Sequence, residues 1–165
     1  MAEETPAANP ANQVGSPGYS LLGQYIRDLS FENPGAPATV MGGQTPSFNV
    51  GINVGLKKQA DDLYAVEIQL SAKAERDNTL LFNVEMVYGG VFRIRNVPEQ
   101  LMGQLLMVEC PRLLFPFARH ALANTVQLGG FPPLMMDPVD FQALYVQNMR
   151  NLQAQSGNAV PPTTN

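Results

Sequence analysis

Tryptophan is absent from this 165-residue chain, and cysteine and histidine occur once each, as Cys110 and His120. A single cysteine excludes an internal disulfide and any cysteine-cluster zinc site, and a single histidine excludes a histidine-based metal centre. Charge is scarce as well. Asp, Glu, Lys and Arg make up 15% of the residues, against about 25% in an ordinary soluble domain. Positive charge is the smaller share, 10 Lys and Arg against 14 Asp and Glu, for a net charge of -4. Such a balance offers no general attraction for nucleic acid or for anionic lipid. No 18 consecutive apolar residues occur, and the first residues lack the cationic and apolar regions of a secretion signal. The expectation is a protein that stays in the cytoplasm without inserting into a membrane.

What the chain does have is apolar content, at 45% of residues, including eight Met and eight Phe. That is enough for a core, but the shortage of charge leaves uncharged surface to be covered, by oligomer contacts or by an apolar binding surface. Residues 1–18 are rich in Ala, Pro, Asn and Gly and are expected to form a disordered leader, and 153–165, with a Pro-Pro pair, a disordered tail. Residues 19–152 remain as one folded domain.

Within it, apolar residues first alternate with polar ones. Tyr25, Leu29 and Phe31 share a face with Arg27, while Ile26, Asp28, Ser30 and Glu32 point the other way. A loop rich in Pro and Gly follows. Phe48, Val50, Ile52, Val54 and Leu56 then define a second strand, and Tyr64, Val66, Ile68, Leu70 and Ala72 a third. The turn Asp77-Asn78 leads to a fourth, from Leu80 to about Ile94, with Phe82, Val84, Met86 and Tyr88 on one face and a bulge or bend expected at Gly89-Gly90. After Val97 the period becomes helical, with Asn96 as the cap, Pro98 in the first turn and an interruption at Pro111. A second helix on Leu114, Phe117, Ala118, Ala121, Leu122 and Val126 ends at Gly129-Gly130. A last helix, capped by Asp137-Pro138, carries Phe141, Leu144, Tyr145, Met149 and Leu152 on one stripe. Four antiparallel strands followed by helices make an α+β fold, one sheet with helices on one face.

Catalytic constellations are mostly excluded. No P-loop, serine elbow or dinucleotide fingerprint occurs. His120 beside Arg119 in a helix is better read as a surface or packing residue than as a base, and Cys110, amid Leu, Met and Val, as a small buried hydrophobe. No catalytic residue, cofactor or metal is expected. The acids Asp28, Glu32 and Glu85 fall on one sheet face. They could work as an acid/base pair only in a concave, partly dry site; on an open sheet they form a solvated surface or a dock for a cationic partner. The loop methionines after Leu134, at positions 135 and 136, are core fillers or parts of an adaptable apolar groove.

Four stretches, DLSFENPGAP (28–37), VYGGVFRI (87–94), CPRLLFPFAR (110–119) and GGFPPLMMDPVDFQALY (129–145), together resemble the bacterial protein-export chaperone SecB in order and spacing, over about residues 25–152. The resemblance implies an ATP-independent holdase that binds unfolded preproteins, keeps them competent for translocation and delivers them to the SecA ATPase. It also implies a homotetramer, a dimer of dimers with helices sandwiched between sheets. The SecA contact falls at Asp28, Glu32, Asn83 and Glu85, where Asn83 replaces the apolar residue frequent in the family. The client groove falls at Met41, Phe48, Leu134, Met136, Phe141, Leu144, Tyr145 and Met149. Positions whose alteration loosens the family's tetramer fall at Val84, Met86 and Tyr88. Family members commonly carry a Trp in the loop that here spans Met41 to Pro46, a difference that bears on client choice. Two other readings are a small enzyme acting through Asp28 and Glu85, and a related holdase serving a toxin-antitoxin or other non-export role.

Overall fold

The computed structural model describes residues 17–157. Most of the expected leader therefore lies outside the described residues, but its last residue, Gly18, opens the first strand. Four strands, β1 (Gly18–Glu32), β2 (Ser47–Lys58), β3 (Leu63–Arg76) and β4 (Thr79–Arg95), form one antiparallel sheet in the order β1-β4-β3-β2. The sequence neighbours β1 and β2 are thus opposite edges, and the connection between them crosses one end of the sheet. β3 and β4 are joined by Asp77-Asn78, both at positive φ (49° and 61°), the two-residue geometry that matches strand twist and that Asn and Asp tolerate.

The alternation in β2, β3 and β4 is realised as read. Val66, Ile68, Leu70, Ala72, Phe82, Val84, Met86 and Phe92 are buried on one sheet face. In β1 the expectation fails at its middle. The pairing Ile26↔Tyr88 is followed by Asp28↔Val87, so Arg27 is an extra residue in the ladder, and a similar shift lies between Leu21 and Gly23. The added residue reverses the alternation. Ile26, Leu29 and Phe31 face the helices, whereas Tyr25 and Arg27 join Asp28 on the outer face. There Arg27 Nε lies 2.9 Å from Glu67 Oε1, to which the Tyr25 hydroxyl donates at 3.1 Å. The bulges therefore sit in β1, with a further one in β4 at Leu81, rather than at Gly89-Gly90, through which the β3–β4 register runs unbroken. Those glycines give room instead. A Cβ on Gly89 would strike the Tyr25 ring, and one on Gly90 would strike Leu114 and Leu21.

Helical structure begins at Glu99, with Pro98 just outside it and Asn96 at φ 55° ending the strand, so Asn96 is not a cap. Pro111 does not break the chain into two helices either. α1 (Glu99–Gln104) passes through a π-turn (Leu105–Glu109) straight into α2 (Cys110–Leu128). The widened turn just before Pro111 is a physical answer to a residue that has no N–H and whose ring clashes with the carbonyl one turn back. The resulting helix, 30 residues long with a mean hydropathy of 1.2 in its most apolar window, is long and apolar enough to cross a membrane. Here it lies on the sheet, burying Leu106, Val108, Cys110, Leu114, Ala118, Leu122 and Val126. The last helix, α3 (Phe141–Gly157), starts later than the sequence suggests. Asp140, not Asp137, is its cap: the carboxylate accepts the Ala143 N–H at 2.9 Å. Its end at Gly157 also runs five residues into 153–165, the stretch expected to be an unstructured tail; the rest of that stretch lies outside the described residues.

Candidate functional site: an acidic sheet face and an apolar groove

Two surfaces stand out, one on each side of the sheet. On the outer face, successive cross-strand rows place Asp28 opposite Val87, Ser30 opposite Glu85, and Glu32 opposite Asn83. Neighbouring rows are about 7 Å apart along a strand. The three acids therefore share a face, Asn83 lies within the same patch, and no ion pair or side-chain hydrogen bond engages any of the three among the described residues. Between them the sheet forms an open depression of about 360 Å³ lined by Asp28, Ser71, Glu85 and Val87 among others. All three acids are exposed. The face is open and solvated, whereas a site for two-acid chemistry is concave and partly dry.

The second surface is a cavity of about 430 Å³ at the end of the sheet, where the β1–β2 connection and the loop after α2 meet. Val40, Phe48, Leu81, Phe82, Phe131 and Leu134 supply its apolar lining, and Arg76 is the one charged side chain in it. The rings are stacked against one another: Phe82 lies 4.8 Å from Phe131, 5.7 Å from Phe31 and 6.4 Å from Phe48 between centroids. Such offset and tilted contacts hold an aromatic wall rigid. Phe48 nonetheless keeps 47% of its surface exposed.

The groove residues expected from sequence divide into four groups. Phe48 and Leu134 line the cavity. Met41, 86% exposed, projects from the loop beside it. Met136 and Phe141 belong to the core instead, Phe141 packing edge-on to Phe115 at 5.8 Å, which leaves neither open to a ligand. Leu144 and Tyr145 are half-buried against the core and Met149 is exposed on α3, and none of the three lines this cavity. Val84 and Met86 are fully buried within the protomer and Tyr88 is half-buried, so the first two cannot touch a second copy directly. Phe131, Val40, Leu81 and Arg76 were not legible as groove residues. They come from the ends of two strands and from two loops, and no local pattern marks them as facing one cavity.

The model of the family described as "Preprotein translocase subunit SecB" matches residues 12–152. The chain belongs to the SecB family. A protein-export protein SecB of a Bradyrhizobium species is 50% identical over 157 residues, 94% of this chain and 96% of the relative. Another, from Rhodopseudomonas palustris, is 52% identical over 149 residues, 90% of this chain and 94% of the relative. Among solved structures, a Mycobacterium tuberculosis SecB-like chaperone in complex with an antitoxin peptide has the same fold, with a TM-score of 0.61 at 10% identity over 73% of this chain and 90% of that one. The family and its export relatives make the chain an export chaperone, with the α+β fold described above.

Proposed function

We propose that this SecB-family chain is an ATP-independent cytoplasmic holdase that takes up apolar and aromatic segments of unfolded preproteins in the Phe48–Phe82–Phe131 cavity and hands them to SecA at the acidic sheet face. The observation that carries this reading is the cavity itself, an apolar hollow in which Phe48, backed by the buried ring of Phe82, keeps 47% of its surface exposed in a chain otherwise short of charge. An unfolded chain exposes the side chains that such a wall can bury, at about 25 cal/mol per Å² before ordering costs. A folded client hides them. No bond is made or broken, so neither nucleotide nor cofactor is required. A SecB-like relative of the same fold is known in complex with a peptide, which agrees with an extended segment as the ligand.

Assembly as a homotetramer, a dimer of dimers, is part of the proposal. Leu113 and Phe117, four residues apart on the side of α2 turned away from the sheet, are 44% and 53% exposed, and Ile26 and Leu29 on edge strand β1 are 47% and 42% exposed. Helix-to-helix and edge-to-edge contacts between copies would cover both. Several grooves on one assembly would then engage one client, and effective concentration raises affinity with no further contact type. Asp28, Glu32 and Glu85, free of internal ion pairs, would draw a cationic segment of SecA, with Asn83 a polar element at the contact. Identity of about 50% to export proteins favours this role over the antitoxin-linked one.

The test is dilution of a denatured preprotein into buffer lacking nucleotide, with and without the chain, while light scattering and solution mass are followed. Suppressed aggregation together with a tetramer-sized complex is expected. A protein that neither retains the unfolded client nor assembles would refute the proposal.

A further inference from the structure

The roof of the cavity is the end of the β1–β2 connection, and it is fastened unevenly. At its start, the Thr39 hydroxyl donates to Asn33 Oδ1 at 2.6 Å, Asn33 Nδ2 donates to the Gly129 carbonyl at 3.5 Å, and Val40 packs so closely on Gly130 that a Cβ there would clash. From Gly42 to Pro46 the described hydrogen bonds come from one side chain. Arg76, the last residue of β3, donates from Nε to the Gln44 carbonyl at 2.8 Å and from Nη1 to the Gly42 carbonyl at 3.0 Å. The segment that brings both carbonyls to one guanidinium includes Gly42 at φ 94° and Gly43 at φ 142°, conformations that residues other than glycine rarely adopt. A Cβ on Gly43 would fall on the guanidinium itself.

We propose that Arg76 is the positioning residue of the client groove, a two-pronged latch that holds residues 42–46 in place before a client arrives. This rests on the cavity being the client site. A planar guanidinium suits the role, since two N–H groups in fixed relation can bind two carbonyls at once, which a lysine ammonium does less well. Once the latch is removed, the roof must be ordered at the moment of binding, and that entropy is charged against affinity. Arg76 is the last residue of β3 and only half-buried, so the fold is expected to survive its loss.

The full chain and its R76A, R76K, G43A and R76A/G43A variants are compared by hydrogen exchange without ligand and by anisotropy of a fluorescent ten-residue peptide rich in Phe and Leu. R76A is expected to accelerate exchange at the amides of residues 47 and 48, where β2 leaves the freed roof, with the rest of β3 and β4 unchanged, and to weaken peptide binding about fivefold to tenfold. R76K is expected to recover only part of this. G43A displaces the guanidinium, so its effect on affinity should be smaller in the R76A background than in the wild type, while its own backbone strain cancels in the cycle. Folded R76A protein with wild-type exchange at 47 and 48, or with affinity within twofold of wild type, overturns the latch. A wild-type chain that fails to bind the peptide overturns the client site and the proposal with it.

Discussion

Replacing Phe48 with Ala probes the groove where its wall is most open. An aromatic side chain offers about 150–250 Å² to burial, and Phe48 keeps 47% of its surface exposed. About 70–120 Å² therefore remains for a client to cover, worth about 2–3 kcal/mol at about 25 cal/mol per Å². Ordering of client and side chains removes roughly half, which leaves about 1 kcal/mol, or about a fivefold rise in Kd. Because the ring sits on an edge strand, is nearly half exposed and meets the core ring of Phe82 in a tilted contact, F48A should cost the fold about 1 kcal/mol and remain native at 25 °C. Titration of a labelled apolar peptide, with circular dichroism as the control for folding, reads both quantities. Phe131→Ala on the opposite wall should weaken binding in the same way. Unchanged Kd in both variants would refute the assignment of clients to this cavity.

Three further outcomes are expected. Leu113→Asp or Phe117→Asp should shift the assembly toward smaller species in analytical ultracentrifugation, because either charge would be buried in the proposed helix-to-helix contact; an unaltered mass distribution would place the interface elsewhere. Glu85→Gln and Asp28→Asn should each weaken SecA binding about twofold to fivefold by calorimetry at low salt, with added salt weakening wild-type SecA binding more than peptide capture. Burial, with a smaller contribution from the Glu109 carboxylate, pushes the Cys110 thiol up to about 12. The unfolded chain then releases this proton at lower pH than the folded one, so between about pH 9 and about 12 stability should fall as pH rises, by at most about 1.4 kcal/mol per unit from this group. Denaturant titrations over that range should show a shallower decline in C110A, and equal slopes would contradict the assignment.

Sequence periodicity determined most of the sheet. From Tyr64 to Lys73, β3 pairs with β4 and β2 in the faces that the alternation assigns, and the Asp77-Asn78 hairpin stands where its turn chemistry puts it. Strand alternation also brought Asp28, Glu32 and Glu85 to one face, since a residue two positions along always returns to the same side. It failed for Tyr25 and Arg27 because one extra residue in β1 reverses every earlier side chain, and that residue is recognised only through its pairing with β4. Local signals misled for the same reason at Pro111, where packing of the whole helix on the sheet made a π-turn cheaper than a break, and at Asp137, where the cap moved to Asp140. The groove was the least legible part. Phe48, Phe82, Arg76 and Phe131 are far apart in the chain, and no short-range pattern relates them. Only tertiary structure joins them, because a cavity is the space left where a crossing connection, a sheet end and a post-helix loop come together without filling it.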